Sequence, residues 1–327
     1  MRRYEQLNLL LKTTALLVFL WFVKALTSKT PSEHLGPFAD NIHTEEDAFG
    51  RVIARDLRGW VIDESLCDGK ITDDFVLVHL SNSPNPPIYV YPMDIDEYVS
   101  TDIIMTGQYE SHNVEIMIQY MKRFPNAVFL DLGAFVGSFS IAIAALGYKV
   151  VAVECLKSSV KRLYASMKEA GVSDRMSIIH NAILDKRIPV VIETQPGNIG
   201  LTYVDLRKSE GNEIVESIAL DDLLEIFQFE QAIIKMDVYQ YEDMVLNGAY
   251  NFFKQVDVEA VLMEFIHHRS DNYDNDGKFI IDFMESHGFE PDVPEYMKRD
   301  YKKWTMPEIL FKRIKPFSHT DKGHIIE

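Results

Sequence analysis

The stretch Asp131-Leu-Gly-Ala-Phe-Val-Gly-Ser-Phe-Ser140 joins two apolar segments, Ala127 to Leu132 and Ile141 to Leu146. This pattern predicts a strand, a tight glycine loop and a helix. Glycine permits positive φ and a close approach of a ligand, and the free amides at a helix start favour electron-rich groups. A second apolar segment, Lys149 to Val153, ends at Glu154, about 20 residues further on, where a carboxylate can bind a ribose. Together they predict the nucleoside-binding half of an α/β fold.

The spacing of the glycines distinguishes between nucleosides. A dinucleotide loop has the pattern G-x-G-x-x-G, whereas Phe135 and Ser138 stand at the second and third glycine positions here. NAD is therefore a poor fit. Asp131 stands two positions before Gly133, and Gly137 stands four positions after that glycine. This arrangement is similar to the S-adenosylmethionine loop of class I methyltransferases.

Motifs further along the chain extend the similarity. They are Val153-Glu154, Leu220-Asp-Asp-Leu-Leu224, Ile234 to Glu242 and Val245 to Ala249. With the glycine loop, they resemble the FkbM family of methyltransferases over most of Gly107 to Lys312. The resemblance implies a Rossmann-like class I methyltransferase sheet with helices on both faces, and S-adenosyl-L-methionine as the cofactor.

Two positions depart from the family pattern. The family has Asn where Phe135 stands and Glu-Gly where Tyr239-Gln240 stand. The first position lies in the cofactor loop, and the second lies just past the fourth core strand, on the acceptor side. The fold prediction does not depend on either position. Because both positions lie in the predicted site, a catalytically silent binding protein with this fold remains the alternative to an active enzyme.

The charge of the chain bears on its partners. The formal net charge is -17, and nucleic-acid-binding proteins usually carry a basic face that releases counterions. We therefore expect no nucleic-acid partner, and a hydroxyl on a glycan or small metabolite as the methyl acceptor. With 47% hydrophobic and 25% charged residues, the chain has the composition of a globular protein.

The N-terminal segment predicts a membrane anchor. Arg2-Arg3 precede Leu7 to Leu26, which supplies about the 20 apolar residues that a bilayer requires. Arginines on the cytosolic side favour a single-pass signal anchor with a lumenal Golgi or ER domain. A cleaved signal peptide, hence secretion, is the alternative. The two cysteines, Cys67 and Cys155, predict no disulfide framework.

The rest of the chain is predicted to alternate between strands and helices, which indicates a mostly parallel sheet. Its five successive core strands are predicted over 127–132, 149–154, 176–182, 232–238 and 258–266, with one helix over 242–254 after the fourth strand. Before this core, Glu45 to Leu57 has helical spacing, and Phe75 to Leu80 with Ile88 to Tyr91 predicts a hairpin. The family resemblance implies an inserted β segment with a turn at Gly197. The predicted organisation is an anchor at 1–27, a stem at 28–43, a small N-terminal cap at 44–106, an FkbM-type domain at 107–316 and a tail at 317–327.

Candidate catalytic residues follow the fourth and fifth core strands. Lys235 and Asp237 lie two positions apart on one face, at the crevice end of the fourth strand. Asp237 is the predicted general base or acceptor-orienting group, while Lys235 lowers the pKa of the acceptor hydroxyl or pairs with Asp237. A purely structural ion pair has equal weight. His267 or His268, after the fifth strand, is the second choice of base.

The cofactor-binding residues are predicted from the loop and the strand ends. The family resemblance implies that Asn181 and Ala182, after the third strand, hold the adenine. Asn272 to Gly277 mimics a calcium loop, but Phe283 replaces the bidentate glutamate, so no metal site is predicted. The predicted cofactor contacts are Asp131, Gly133, Ala134, Phe135, Gly137, Glu154, Asn181 and Ala182.

Overall fold

The computed structural model describes residues 42, 44–269, 277–298 and 300–317. The predicted anchor, Leu7 to Leu26, lies outside these residues, as does the calcium-like loop up to Asp276. Within the described part of the chain, no helix has the length and apolar character needed to cross a membrane. The membrane anchor therefore stays a prediction.

The described residues form strands and helices in the alternation that the sequence predicts. The strands are β1 (Val52–Asp56), β2 (Gly59–Ile62), β3 (Val76–His79), β4 (Pro87–Val90), β5 (Val128–Leu132), β6 (Val150–Glu154), β7 (Met176–His180), β8 (Ala182–Leu184), β9 (Pro189–Gln195), β10 (Asn198–Asp205), β11 (Glu213–Ala219), β12 (Gln231–Met236), β13 (Asp257–Glu264), β14 (Phe289–Pro291) and β15 (Glu308–Arg313). The helices are α1 (Glu45–Ala48), α2 (Val99–Thr106), α3 (Ser111–Arg123), α4 (Ser138–Ala145), α5 (Lys157–Glu169), α6 (Glu242–Asn247), α7 (Tyr250–Gln255) and α8 (Gly277–Ser286). Shorter 3-10 turns span Leu220–Glu225, Ile266–Arg269 and Tyr301–Lys303.

Nine of the described strands form one mixed sheet in the order β14-β15-β13-β12-β5-β6-β7-β1-β2. The strands from β13 to β1 run parallel to one another, whereas β15 and β2 are antiparallel to their neighbours. From β5 the chain builds the sheet outward through β6 and β7, then returns to place β12 and β13 on the other side. Ligands of such sheets bind at this reversal, outside the carboxyl ends of the strands. The predicted α/β sheet is confirmed.

Both faces of the sheet are covered, so its central strands are apolar throughout. Side chains alternate between faces along β5. Phe129 packs in the core that includes Met117 of α3 and Leu163 of α5. The next residue, Leu130, packs in the opposite core with Phe252 of α7. These two cores hold the ends of β5 and β12 in place at the crevice.

The region predicted as a small N-terminal cap contributes β1 and β2 to the main sheet and forms a separate hairpin with β3 and β4. The helix predicted over Glu45 to Leu57 is wrong beyond α1, because Val52 and Ile53 are fully buried and pair with β7. With β2, this strand extends the main sheet, so a separate cap is wrong for these residues. The predicted hairpin is confirmed as β3 and β4. It packs on α5, where the Tyr89 N–H donates to Ser166 Oγ at 2.8 Å.

The inserted β segment that the family resemblance implies is present. Strands β8 to β11 form a four-stranded sheet in the order β10-β9-β11-β8, with Gly197 in the turn between β9 and β10. The Glu97 N–H donates to the Gly197 carbonyl at 2.9 Å. This bond ties the chain before α2 to the inserted sheet, beside the mouth of the crevice.

Candidate functional site

The glycine loop between β5 and α4 is tightly enclosed. Gly133 and Gly137 have φ of +81° and +91°. A Cβ at Gly133 would overlap the carbonyl oxygen of Asp237, and one at Gly137 would overlap Leu163. The amides of Gly133 and Ala134 both donate to the Val153 carbonyl at 3.0 Å. A glycine is therefore needed at 133 because the end of β12 approaches its backbone closely. The sequence analysis attributed this need to the approach of a ligand.

Phe135, which stands where the family has Asn, has a left-handed backbone with φ of +50°. Its N–H donates to Glu154 Oε2 at 2.7 Å. Its ring stacks on Tyr91, with centroids 5.5 Å apart, and the Arg162 guanidinium lies 3.6 Å from the centre of the Tyr91 ring. The departure from the family pattern therefore adds aromatic packing that anchors the loop to the chain after β4.

Glu154 is buried at the end of β6 and accepts two backbone hydrogen bonds. Its Oε2 accepts the Phe135 N–H, and its Oε1 accepts the Leu156 N–H at 2.7 Å. Burial raises the pKa of the carboxyl, and the two amides oppose that shift. Each carboxylate oxygen retains a second lone pair, so the side chain can still accept a ribose hydroxyl.

Lys235 joins the ends of β12 and β5. Its Nζ donates to the Gly133 carbonyl at 3.0 Å and lies 3.2 Å from Asp237 Oδ2 and 3.8 Å from Asp131 Oδ1. Burial would lower the pKa of this ammonium, but Asp237 and Asp131 raise it above its usual range. Asp131 is itself buried and accepts the Ser140 hydroxyl at 2.6 Å. Of the two roles predicted for Lys235, the structure shows the pairing with Asp237.

Asn181 follows β7, and its buried side chain is engaged by backbone groups. Its Oδ1 accepts the Arg55 N–H at 2.8 Å, and its Nδ2 donates to the carbonyls of Arg55 and Glu216. The side chain thus ties β7 to β1 and β11. Contact with adenine through Asn181 and Ala182 stays a prediction. Because the Asn181 side chain is engaged, the backbone of these residues and the Ala182 methyl group are the parts left to make this contact.

A single cavity brings the two halves of the predicted site together. It encloses about 920 Å³ when the adjoining space open to solvent is included. The predicted residues that line it are Gly133, Phe135, Glu154, Asn181, Ala182, Lys235 and Asp237. Those outside its lining are Asp131, Ala134, Gly137 and His267.

Sequence reasoning missed residues on two walls of this cavity. One wall comes from the inserted sheet and the chain after β12, and the other from the chain around α2. Apart from Tyr241, these residues lie outside the motifs shared with the family, and only the prediction of the inserted sheet pointed towards one wall. The missed residues include Val99, Tyr109, Glu110, Thr202, Tyr203 and Tyr241.

The two histidines after β13 have different surroundings. His268 Nε2 lies 2.7 Å from Glu242 Oε2, and both side chains are fully buried. Glu242 also accepts the Val238 N–H at 2.9 Å, so this pair fixes the start of α6. His267 packs against the Tyr239 ring at 4.8 Å, and burial lowers its pKa. Neither histidine lines the cavity, so the choice of one as a base receives no support from the geometry.

Tyr239 and Gln240, which replace the family's Glu-Gly, both have left-handed backbones, with φ of +44° and +73°. Such conformations are costly for residues other than glycine and persist where the surroundings impose them. The Tyr239 ring lies 5.9 Å from that of Tyr203, which lines the cavity. This departure therefore places an aromatic ring beside the acceptor side.

Three carboxylates near the cavity are close enough to share a metal ion. Ligand atoms of Asp237, Glu242 and Glu264 lie within 4.8 Å of one another. Both oxygens of Glu242 already accept hydrogen bonds, from Val238 and His268. Burial, with Asp237 and Glu242 nearby, raises the pKa of Glu264 to about 9, and a protonated carboxyl is a poor ligand. The sequence prediction of no metal site stays a prediction.

A parallel sheet with a reversal at β5 and β12, a glycine loop and an acidic residue ending β6 defines the Rossmann-like methyltransferase class. Residues 131–291 match the family model described as the methyltransferase FkbM domain. The resemblance to the FkbM methyltransferases is thus confirmed over these residues, and S-adenosylmethionine is the cofactor of this class.

The chain is also similar to named proteins. It is 26% identical over 193 residues to an uncharacterized RNA methyltransferase of Nanoarchaeum equitans, covering 57% of this chain and 40% of that protein. A solved tRNA (uracil-54, C5)-methyltransferase of Pyrococcus abyssi is 10% identical, with a TM-score of 0.37, covering 74% of this chain and 44% of that one. An rRNA methylase of Streptococcus thermophilus is 9% identical, with the same TM-score of 0.37, covering 64% and 98%. Structural likeness at these scores says nothing about the acceptor.

The expectation of no nucleic-acid partner is corrected by this comparison. The curated relative is named an RNA methyltransferase, although the present chain carries a net charge of -17. Net charge averages over a whole chain and does not report the potential at one site. Acidity therefore does not exclude this class of acceptor.

Proposed function

We propose that this protein transfers the methyl group of S-adenosylmethionine to a hydroxyl oxygen of an acceptor bound in the cavity. The observation that carries the proposal is the Lys235 and Asp237 pair, which lines the same cavity as Glu154 and the glycine loop. Methyl transfer from a sulfonium needs an acceptor held in line, exclusion of water and removal of the hydroxyl proton. The cavity is suited to the first two of these needs.

Asp237 orients the acceptor hydroxyl in this proposal. Its carboxylate is about two-fifths exposed and held from one side by Lys235 at 3.2 Å. A free lone pair can therefore accept the hydroxyl hydrogen bond while Lys235 fixes the direction of the side chain. A glycan or small metabolite is the acceptor that we propose.

Two measurements on the full chain test the proposal. Isothermal titration with S-adenosylmethionine, S-adenosylhomocysteine and NAD should show binding of the first two alone. Mass spectrometry of hydroxylated glycans and metabolites incubated with protein and cofactor should then detect products that have gained one CH₂. Cofactor binding without any methylated product would favour the silent binding protein, and NAD binding would refute the cofactor site.

RNA is the second candidate acceptor, favoured by the name of the curated relative. The chain spans 40% of the length of that relative, so the relative's substrate can depend on parts with no counterpart here. Transfer of a radioactive methyl group to total RNA, measured beside the glycan and metabolite pools, separates the two candidates. Label in RNA alone would replace the proposed acceptor.

A further inference from the structure

Glu110 places a carboxyl group in the cavity from a side that sequence reasoning overlooked. It precedes α3 with a left-handed backbone, φ +46° and ψ +42°, and its side chain makes no capping bond to the helix. The side chain instead lines the cavity with Tyr109, Lys235 and Asp237. This backbone conformation costs free energy for a residue other than glycine, so tertiary contacts must hold it in place. The conformation therefore directs a carboxyl group towards the reaction space.

Hydrogen bonds and charges from three elements face this carboxyl. Asn113 Nδ2 of α3 donates to Glu110 Oε2 at 3.2 Å and to Glu308 Oε2 of β15 at 3.4 Å. Burial raises the pKa of Glu110 to about 7; Lys235 opposes the shift, and Glu308 and Asp237 add to it. The neighbouring hydroxyl of Tyr109 has a pKa that burial, then Glu110, raises above its usual range.

Lys235 leaves Glu110 available as a proton acceptor. The Lys235 ammonium donates to the Gly133 carbonyl at 3.0 Å. It also pairs with Asp237 at 3.2 Å and with Asp131 at 3.8 Å. A general base works best when its affinity for the proton matches the working pH, and a carboxyl in this environment meets that condition at neutrality.

We infer that Glu110 is the general base that removes the acceptor proton during methyl transfer, an inference that rests on the proposed function. As the acceptor oxygen forms its bond to the methyl carbon, the bond from that carbon to sulfur breaks and its electron pair stays on sulfur. The hydroxyl proton passes to Glu110. The products are the methyl ether, S-adenosylhomocysteine and a protonated carboxyl that returns its proton to water. Asp237 orients the hydroxyl, and Glu110 accepts its proton.

A first test needs no acceptor. S-adenosylmethionine carries a positive sulfonium where S-adenosylhomocysteine carries neutral sulfur, and a nearby positive charge lowers the pKa of a carboxyl. At pH 7 the first ligand should therefore release more protons than the second, by up to about half a proton, because Glu110 is then partly protonated. Calorimetry in buffers of different ionisation enthalpy measures this difference. It should vanish in Glu110→Gln and persist in Glu115→Gln, which changes an exposed carboxylate of α3 that accepts from Gln119 and does not line the cavity.

A second test uses any acceptor that the wild type methylates. Glu110→Gln should lower kcat by at least about 100-fold, the lower end of general-base effects, with cofactor affinity changed less than about threefold. Wild-type kcat/KM for S-adenosylmethionine, which reports the enzyme free of this cofactor, should rise as the pH rises through about 7, since the base works when ionised, and this limb should disappear in the variant. Glu110→Asp tolerates the left-handed backbone and should recover part of the rate. Glu115→Gln, an exposed change on α3 away from the cavity, should stay within about threefold of wild type.

The outcomes separate this inference from the proposed function. A wild type that binds cofactor but methylates nothing would refute the proposed function. An active wild type whose Glu110→Gln variant keeps its rate and its pH limb would overturn the inference alone. A difference in proton release that is absent from the wild type, or that survives in Glu110→Gln, would overturn it as well. Melting temperatures by circular dichroism show that the variants are folded.

Discussion

At the scale of single residues, Glu154 combines support of the loop with ribose binding. In Glu154→Gln, one end of the side chain becomes a donor that faces a backbone N–H, so one buried amide loses its acceptor. We expect cofactor affinity to fall by about 1.5 to 3 kcal/mol, measured by titration calorimetry, together with a loss of stability of about 1 to 3 kcal/mol. Glu213→Gln is the matched control, because the Glu213 carboxylate also accepts a backbone N–H, from Lys157, in an exposed setting. Equal affinities for wild type and Glu154→Gln would leave Glu154 a structural residue only.

Asp237 supports a second prediction at this scale. Asp237→Asn keeps the shape of the side chain but removes the charge that faces Lys235. We expect turnover to fall by about 100-fold with little change in cofactor affinity, as for a group that orients the acceptor in the transition state. The rising pH limb should remain but move to lower pH, since it belongs to Glu110 in our proposal and the Asp237 charge raises the pKa of Glu110.

The control for Asp237→Asn is Asp292→Asn, because Asp292 forms an exposed pair with Lys312 at 2.8 Å, away from the cavity. The control should retain wild-type turnover. If Asp237→Asn also retains full turnover on a verified acceptor, another group orients the hydroxyl.

At the scale of elements, the contact between the glycine loop and the end of β12 determines how far the site tolerates substitution. Gly133→Ala combines positive φ with an overlap against the Asp237 carbonyl, so we expect a loss of more than about 3 kcal/mol in the free energy of unfolding. Gly171 has φ of +66° and nothing near its virtual Cβ, so Gly171→Ala isolates the backbone effect, about 1 to 2 kcal/mol. Urea unfolding followed by circular dichroism measures both. Equal losses would show that the loop moves away from β12 at little cost.

The sequence predicted the elements whose signals are local. Strands β5, β6, β12 and β13 follow from apolar runs, and the site residues beside them follow from their position at strand ends. Strand β1 was missed because Phe49, Ile53 and Leu57 imitate helical spacing, while its partner, β7, lies far along the chain. The single helix predicted over 242 to 254 is two, α6 and α7, because the chain turns at Gly248 against the Leu184 carbonyl.

The site shows the same division between local and non-local signals. Asp237 and Glu154 were predicted because each comes directly after or at the end of an apolar strand. Glu110 was not, because it lies in no strand-end motif and reaches the cavity through the packing of α2 and α3 over the sheet. Tyr203 likewise enters through the inserted sheet, which the family resemblance implied without indicating where it would pack.

At the scale of the whole molecule, cofactor binding should stabilise the fold, because the cavity is built from both halves of the sheet and disappears on unfolding. S-adenosylmethionine at 100 times its dissociation constant should add about 2.7 kcal/mol, which corresponds to about 4 to 5 °C in Tm for a chain of this length. S-adenosylhomocysteine should act similarly. NAD serves as the control and should leave Tm unchanged; a shift with NAD would contradict the cofactor assignment. Differential scanning fluorimetry measures all three.

The strands β1 and β2 have a practical consequence for anyone who wishes to produce this protein as a fragment. The family match begins at residue 131 and ends at residue 291, so a fragment with these limits would lack β1 to β4, the first three residues of β5, and β15. It would expose β7 and β13 as long, apolar edges, and such edges recruit other chains. Without Ile53 and Trp60, the hydrophobic core that these residues now cover would be exposed to solvent. A fragment spanning residues 42 to 317 should remain monodisperse in light scattering, whereas the 131 to 291 fragment should aggregate.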